Sequence, residues 1–520
     1  MIKSDICLLL EGTYPFVRGG VSGWVHQLIS GLPALSFSLV FVGGRRADYA
    51  EHKYELPSNV RHLETHYLED ATRNRTPRRI NLPLSKLDDA CALHGYLKAR
   101  GAAARGVQVS QDMAQLEQSV DAMLVSLEGP DGLNLDDFLF GSGSWEFIRS
   151  SHLEGESSAP FVDYFWTLRL MHGPIFQLAR IAAQVPHSRA YHSVSTGYAG
   201  LLGAFLERRR KRPLILSEHG IYTKERRIDL NQAEWLEQLR PPRGVDRVDS
   251  SAAIRRLWIR YFEGLGRLTY RSANPIISLY EGNRERQLQD GAAEGRTRII
   301  VNGIQLDRFR RAREHRAEVI PRVIGLVGRI VPIKDVKTFV RAIQLVVREL
   351  PDVEGWIIGS SEEDPAYEDE CRALAHSLGV GEQVRFLGHQ NVVDVLPKLG
   401  LLMLTSISEA QPLAILEAFA AGVPCVATDV GACREQIEGR GAEDRALGPA
   451  GAVVPFADHD RLSQAAIELL SSPLRWRACQ TAGIERVSRY YSESAMLDAY
   501  ATVYREALLD RPGAAIAPLA

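Results

Sequence analysis

Two glutamates, Glu409 and Glu417, stand eight positions apart in SISEAQPLAILEAFAAGVPCVATDVG. Glu409 lies in a loop after an apolar run. Glu417 lies on a helix entered through Pro412, and proline suits the first turn of a helix. Eight positions are slightly more than two helical turns, so the two carboxylates can share one side. The neighbours of Glu417 are Ile415, Leu416, Ala418, Phe419 and Ala420. A carboxylate there needs ligand hydroxyls or backbone donors, unless a buried cap or salt bridge takes it. Arg329 and Lys334 bracket the loop after RVIGLVGRI and together could neutralise a diphosphate without a metal. Each could equally be an ordinary solvated loop cation. Gly19 and Gly20 precede an amphipathic helix, where free N–H groups and the helix dipole suit an anion such as phosphate. Neither GxGxxG nor GKS/T is present, and an ordinary glycine turn is the competing reading. His219, after PLILSE, could hydrogen-bond a ligand hydroxyl or the reaction centre, although a lone histidine is usually structural. Lys224, Arg226 and Arg227 follow it, and could serve phosphates or simply solvate the loop. His62 and His66 have helical spacing, but no carboxylate or cysteine set completes a metal site. Asp458-His459-Asp460 reads as helix capping rather than a DxD metal motif.

These residues need elements that bring loops to one edge. From Arg322 to Phe456, short apolar runs alternate with helical patterns: RVIGLVGRI, VEGWIIG, QVRFLG, LLMLTS, PCVATDVG and GAVVPF. That alternation predicts βαβ units and a parallel sheet covered on both faces. The first half repeats the pattern with DICLLLEG, FSLVFVGG, AYHSVS, PLILSEHG, PIISLY and RIIVNG. Between them, residues 67–160 read as a largely helical insertion with a loop near GSGS (Gly141–Ser144). ATRNRTPRR (Ala71–Arg79) reads as a solvated linker. The predicted fold is α/β, with two doubly wound domains facing each other across a cleft at the strand C-terminal ends. Their predicted extents are residues 1–302 and 303–490, joined through the charged RFRRAREHRAEV as an exposed connector. Residues 491–520 should form a helix crossing back to the first domain.

Composition excludes several classes. The chain has 520 residues, 45% hydrophobic and 24% charged, as in globular proteins. Lys+Arg (62) nearly cancels Asp+Glu (64), so bulk charge draws it to neither nucleic acid nor an anionic membrane. Six scattered cysteines without a CxxC pair predict reduced thiols in a cytoplasmic protein. No apolar stretch is long enough for a membrane span or a secretory signal.

GRIVPIKD, SISEAQPLAILEAFAAGVPCVATDVG and VNGIQLDRF together resemble the retaining nucleotide-sugar glycosyltransferases of family 4, with the GT-B fold. Glu409 to Glu417 is similar to that family's E-x7-E motif. More narrowly, LLLEGTYPFVRGGVSGWVHQL, FVDYFWTLRLMH, YHSVSTGYAGLLGAFL and LSEHGIYTKERRIDL resemble the glycosyltransferases of bacterial Pel-type exopolysaccharide systems. The resemblance implies a UDP-sugar donor, UDP-glucose or an N-acetylhexosamine relative, a glycan acceptor, and no cofactor or metal. It also implies recruitment to the inner membrane face by a membrane-bound Pel synthesis complex, and a role in biofilm. Carried over residue by residue, Arg329 and Lys334 bind the diphosphate, Glu417 the ribose and Glu409 the donor sugar. Gly19 and Gly20 approach the distal phosphate, and His219 lies near the transferred sugar. Gly388, in the Arg385–His389 stretch, presents backbone groups to the uracil. Two departures from the family pattern are Asp335, where glycine often follows the lysine, and Gln305, where aspartate often follows NGI. Competing readings are a sugar-nucleotide epimerase, a phosphorylase-like enzyme using a lysine-bound pyridoxal phosphate, and a non-catalytic nucleotide-sugar-binding subunit.

Overall fold

The apolar runs become parallel strands in two separate sheets. The computed structural model describes residues 4–70, 76, 78–98, 118, 121–123, 125, 132–153, 159–232, 247–314, 316 and 319–509. It divides into two compact units, one comprising residues 1–278, 284–298 and 500–520, the other residues 279–283 and 299–499.

Unit 1 holds a seven-stranded sheet of β1 (Ser4–Glu11), β2 (Phe37–Gly43), β3 (Val60–Tyr67), β4 (Ser188–Ser193), β5 (Leu214–Glu218), β6 (Ala273–Ser278) and β7 (Thr297–Ile299). Their spatial order is β3-β2-β1-β4-β5-β6-β7, and pairing from β3 through β6 is parallel. Every residue of β2 and β5 is buried, as the lack of alternation in FSLVFVG and LILSE requires of strands covered on both faces. Helices Phe161–Gln184, Tyr198–Arg210 and Arg247–Ser272 supply much of the covering core.

Unit 2 holds a six-stranded sheet of β8 (Val323–Val327), β9 (Glu354–Ile358), β10 (Val384–Gly388), β11 (Leu401–Leu404), β12 (Cys425–Thr428) and β13 (Gly451–Val454). The order is β10-β9-β8-β11-β12-β13, parallel throughout. In both sheets the order reverses beside the first strand, at β1/β4 and at β8/β11. Ligands in doubly wound sheets bind at such points, beyond the strand C-terminal ends.

Three local expectations need correction. His62 and His66 lie on β3, not on a helix. Alternation along the strand places both beside Glu64, which accepts from His62 (3.0 Å) and His66 (2.9 Å). GSGS is not a loop: Gly141 ends helix Leu135–Phe140, and Ser142 opens helix Ser142–Leu153. The charged connector is in part a helix, Leu306–Glu314, with Phe309 only 1% exposed in the core of unit 2. Its Leu306, Phe309 and Ala312 recur at helical spacing beneath the arginines. Residues 279–283 and 299–302 group with unit 2, and unit 1 takes up the chain again from Tyr500. Residues 71–75 and 77, and much of the insertion, lie outside the described residues.

Helix Glu493–Leu509 belongs to unit 2 as far as Ala499 and to unit 1 from Tyr500. In unit 1, Tyr504 Oη lies 2.8 Å from His192 Nδ1, and Tyr500 Oη lies 3.0 Å from Ser217 Oγ. His192 Nε2 meets the same Ser217 hydroxyl at 2.8 Å.

Candidate active site

In unit 2 the loops after β8 and β11 are tied to each other. Thr405 Oγ1 donates to the carbonyls of Lys334 (2.8 Å) and Asp335 (3.0 Å), and Ile407 N–H donates to Ile333 O (2.9 Å). Asp335 is left-handed (φ 48°), a conformation that glycine adopts more easily than any L-residue. Its carboxylate offsets that strain by capping helix Val336–Glu349 through Thr338 N–H. The result places Lys334 against Glu409, Nζ to Oε1 at 2.5 Å, and Ser406 Oγ donates to the same oxygen at 2.7 Å. Arg329 reaches outward to Glu363, both side chains exposed. Gly388 ends β10 with φ 65°, and its carbonyl accepts from Gly359 N–H at 2.9 Å.

Glu417 sits on helix Leu413–Ala420 and shares no hydrogen-bond partner with Glu409. Burial pushes its carboxyl up to about 7, and the Arg308 guanidinium offsets this only in part. Arg308 comes from the helix mistaken for a connector, so this neighbour was not legible in the charge pattern.

In unit 1, Gly19 caps helix Gly20–Gly31 without any side-chain hydrogen bond, and the first turn carries no acid. A Cβ at Gly19 or Gly20 would meet nothing within 4 Å, so the helix N-terminus is open. Trp24 of this helix packs edge-on against His219, ring centroids 4.5 Å apart. Burial lowers His219 to about 4, so it is neutral at pH 7 and offers hydrogen bonding, not charge. Lys224, Arg226 and Arg227 fall on helix Tyr222–Gln232, where Arg227 pairs with Glu263.

Two carboxylates of unit 1 escaped the sequence reading. Glu11, at the end of β1, accepts from Ser195 Oγ (3.1 Å), Ala199 N–H (3.0 Å) and Tyr222 Oη (2.9 Å). It therefore fills the N-terminus of helix Tyr198–Arg210 with the protein's own anion, whereas the first turn of helix Gly20–Gly31 carries no acid. Glu218, beside His219, accepts from Thr196, Tyr270 and Gln287, yet burial still raises it to about 7. The signal for both was an acid closing an apolar strand, in DICLLLE and LILSE.

Residues 4–295 match the family described as a domain of unknown function (DUF3492). The chain belongs to the DUF3492 family. Residues 321–472 of this DUF3492 chain match the family described as glycosyl transferases group 1. A D-inositol 3-phosphate glycosyltransferase of Saccharomonospora viridis is 29% identical over 47% of the chain and 56% of the relative. The DUF3492 chain spans about half the length of the curated relatives it matches. Sucrose-phosphate synthase of Thermosynechococcus elongatus superposes with TM-score 0.55 at 16% identity, covering 96% of this chain and 98% of that one. Anabaena Alr3699/HepE in complex with UDP and glucose gives 0.55 at 13% identity, covering 96% and 100%. The fold is GT-B, with two Rossmann-like parallel-sheet units.

Proposed function

We propose that this DUF3492 protein is a glycosyltransferase that moves a hexosyl group from a UDP-sugar to a glycan acceptor with retention at the anomeric carbon. The observation that carries the reading is the Lys334–Glu409–Ser406 cluster at the β8/β11 switch point of a segment matching glycosyl transferases group 1. The donor is UDP-glucose or an N-acetylhexosamine relative, in line with the UDP and glucose named for the Anabaena structure. The acceptor is a growing exopolysaccharide of Pel type, and the working place is the cytoplasmic face of a membrane-bound synthesis complex. Among the described residues no helix is long and apolar enough to cross a membrane, so in this reading partner proteins recruit the enzyme.

The glycosidic C1–O bond breaks with its electron pair going to the diphosphate. Arg329 and Lys334 stabilise that charge, which makes the reaction metal-independent. The acceptor oxygen bonds C1 on the face that the diphosphate leaves, and the acceptor proton passes to a departing phosphate oxygen. Glu409 holds donor-sugar hydroxyls, Glu417 the ribose and Gly388 the uracil. In unit 1, the Gly19–Gly20 helix N-terminus binds anionic oxygen and His219 hydrogen-bonds a sugar hydroxyl.

A thermal-shift panel of nucleotide sugars, followed by UDP release with and without acceptor glycan, tests the proposal. UDP-sugars should give the largest shifts, and UDP release should rise with acceptor and persist in EDTA. Sugar-nucleotide conversion without UDP release would indicate an epimerase. Binding without any turnover would indicate a sensing subunit.

A further inference from the structure

Unit 1 contains a cavity of about 550 Å³ at the N-terminal ends of β4, β5 and β6. This is the sheet edge opposite Gly19, Gly20 and His219. Its wall carries six cations, Arg189, Arg208, Lys211, Arg212, Arg271 and Arg296, with Glu207 as the carboxylate among its lining residues. The whole chain has a formal charge of −2, so this concentration of positive charge is local.

A structural explanation comes first. Helices Tyr198–Arg210, Arg247–Ser272 and Glu493–Leu509 all end here, and helix C-termini attract basic side chains. Arg296 does serve one of them, giving Nη1 to Arg271 O at 2.7 Å. Each helix end carries only about half an elementary charge, so three cannot balance six cations. Nearby acids take part of the rest: Asp5 pairs with Arg189 at 3.2 Å, and Asp121 pairs with Arg208. Arg212 has no carboxylate partner among the described residues. Burial raises the Glu207 carboxyl, and Lys211, Arg208 and Arg296 of the same wall act on it in the opposite direction. Six cations to one carboxylate among the lining residues make the wall positive, around a space within the roughly 300–1,000 Å³ typical of small-molecule sites.

We propose that this cavity is a second anion site, for a ligand with clustered phosphate groups, either a phosphorylated small molecule or a phospholipid headgroup. Planar guanidinium forks from several elements suit phosphate oxygens, and a multivalent anion can meet several of them at once. The site lies outside the proposed transferase chemistry and does not depend on it.

The test compares the full chain with an Arg212→Glu, Arg271→Glu variant by calorimetric titration of inorganic triphosphate. A second arm measures sedimentation with phosphatidylcholine vesicles, with and without phosphatidylglycerol. Triphosphate should bind the wild type at low salt and at least tenfold more weakly to the variant, with UDP affinity unchanged. Variant-sensitive binding to anionic vesicles alone would support the site and identify the headgroup as its ligand. Equal triphosphate affinity in both proteins, or no binding of either probe at millimolar concentration, would overturn the proposal. Should the charge reversals lower the melting temperature, Arg212→Gln replaces them, with threefold or greater weakening expected.

Discussion

Lys334 and Glu409 already neutralise each other, so any diphosphate bound by Lys334 competes with a carboxylate 2.5 Å away. Lys334→Ala and Arg329→Ala should each weaken UDP binding by about 1.5–3 kcal/mol, read by calorimetry. Unchanged affinity in both would refute the diphosphate role. Glu409→Ala frees Lys334, so UDP affinity should hold or rise while kcat falls on the order of 10²-fold or more. Glu417→Ala should instead lose UDP affinity together with activity. Equal affinity losses in the two folded variants would refute that division. Glu417 also makes stability depend on pH. Its folded-state pKa of about 7 lies above the ordinary 4.5, so between those values the folded protein keeps a proton that the unfolded chain has released. Stability therefore falls as pH rises through that window. Glu218, also raised to about 7, adds to the fall. Glu417→Gln should flatten the melting-temperature profile between pH 4.5 and 7 and stabilise the protein at pH 8 by on the order of 1–2 kcal/mol. A profile identical to the wild type would show that the carboxyl is not buried against charge. At this scale the sequence identified residue types but not pairings. Lys334 with Glu409 and Arg308 with Glu417 join distant segments, and no local spacing encodes them.

Strands were legible because burial on both faces leaves continuous apolar runs, and β8 to β13 all fall within runs read from sequence. β3 was missed because VRHLETHY carries two histidines and a glutamate, the composition of a partly exposed edge strand. Helix Leu306–Glu314 was hidden by its arginines. The loops that carry the site residues depend on close backbone approach. At Gly359 a Cβ would stand 1.8 Å from Gly328 O, beside the Arg329 loop. At Gly431, left-handed with φ 56°, it would stand 2.4 Å from the carbonyls of Glu409 and Ala410. Backbone cannot yield as a side-chain tip can, so Gly359→Ala and Gly431→Ala should each destabilise by about 1–3 kcal/mol or more. Gly359→Ala should also weaken UDP binding by displacing Arg329. Gly20→Ala, with open space around its Cβ, should stay within about 0.5 kcal/mol of wild type. Thermal melts of the three variants check this order, and a Gly20 loss as large as the others would refute it.

Each unit of the molecule has its own hydrophobic core among the described residues. A chain of this kind need not unfold in one step, so each melting temperature above refers to the transition of the unit that carries the substituted residue. Calorimetry should resolve two transitions, and two perturbations should separate them. UDP, held in the proposed reading by Arg329, Lys334 and Glu417 of unit 2, should raise one transition. At a free concentration of 100 times Kd, the gain is about 2.7 kcal/mol. Tyr504→Phe should lower the other. Burial drops His192 to about 3, so its ring is neutral, and Nδ1 loses its 2.8 Å partner within unit 1. Leaving a buried polar atom unpaired costs about 1–3 kcal/mol. The transition that UDP raises should therefore not be the one that Tyr504→Phe lowers. If both perturbations moved the same transition by similar amounts, the nucleotide would not belong to unit 2 alone. One merged transition would mean that the two cores unfold together.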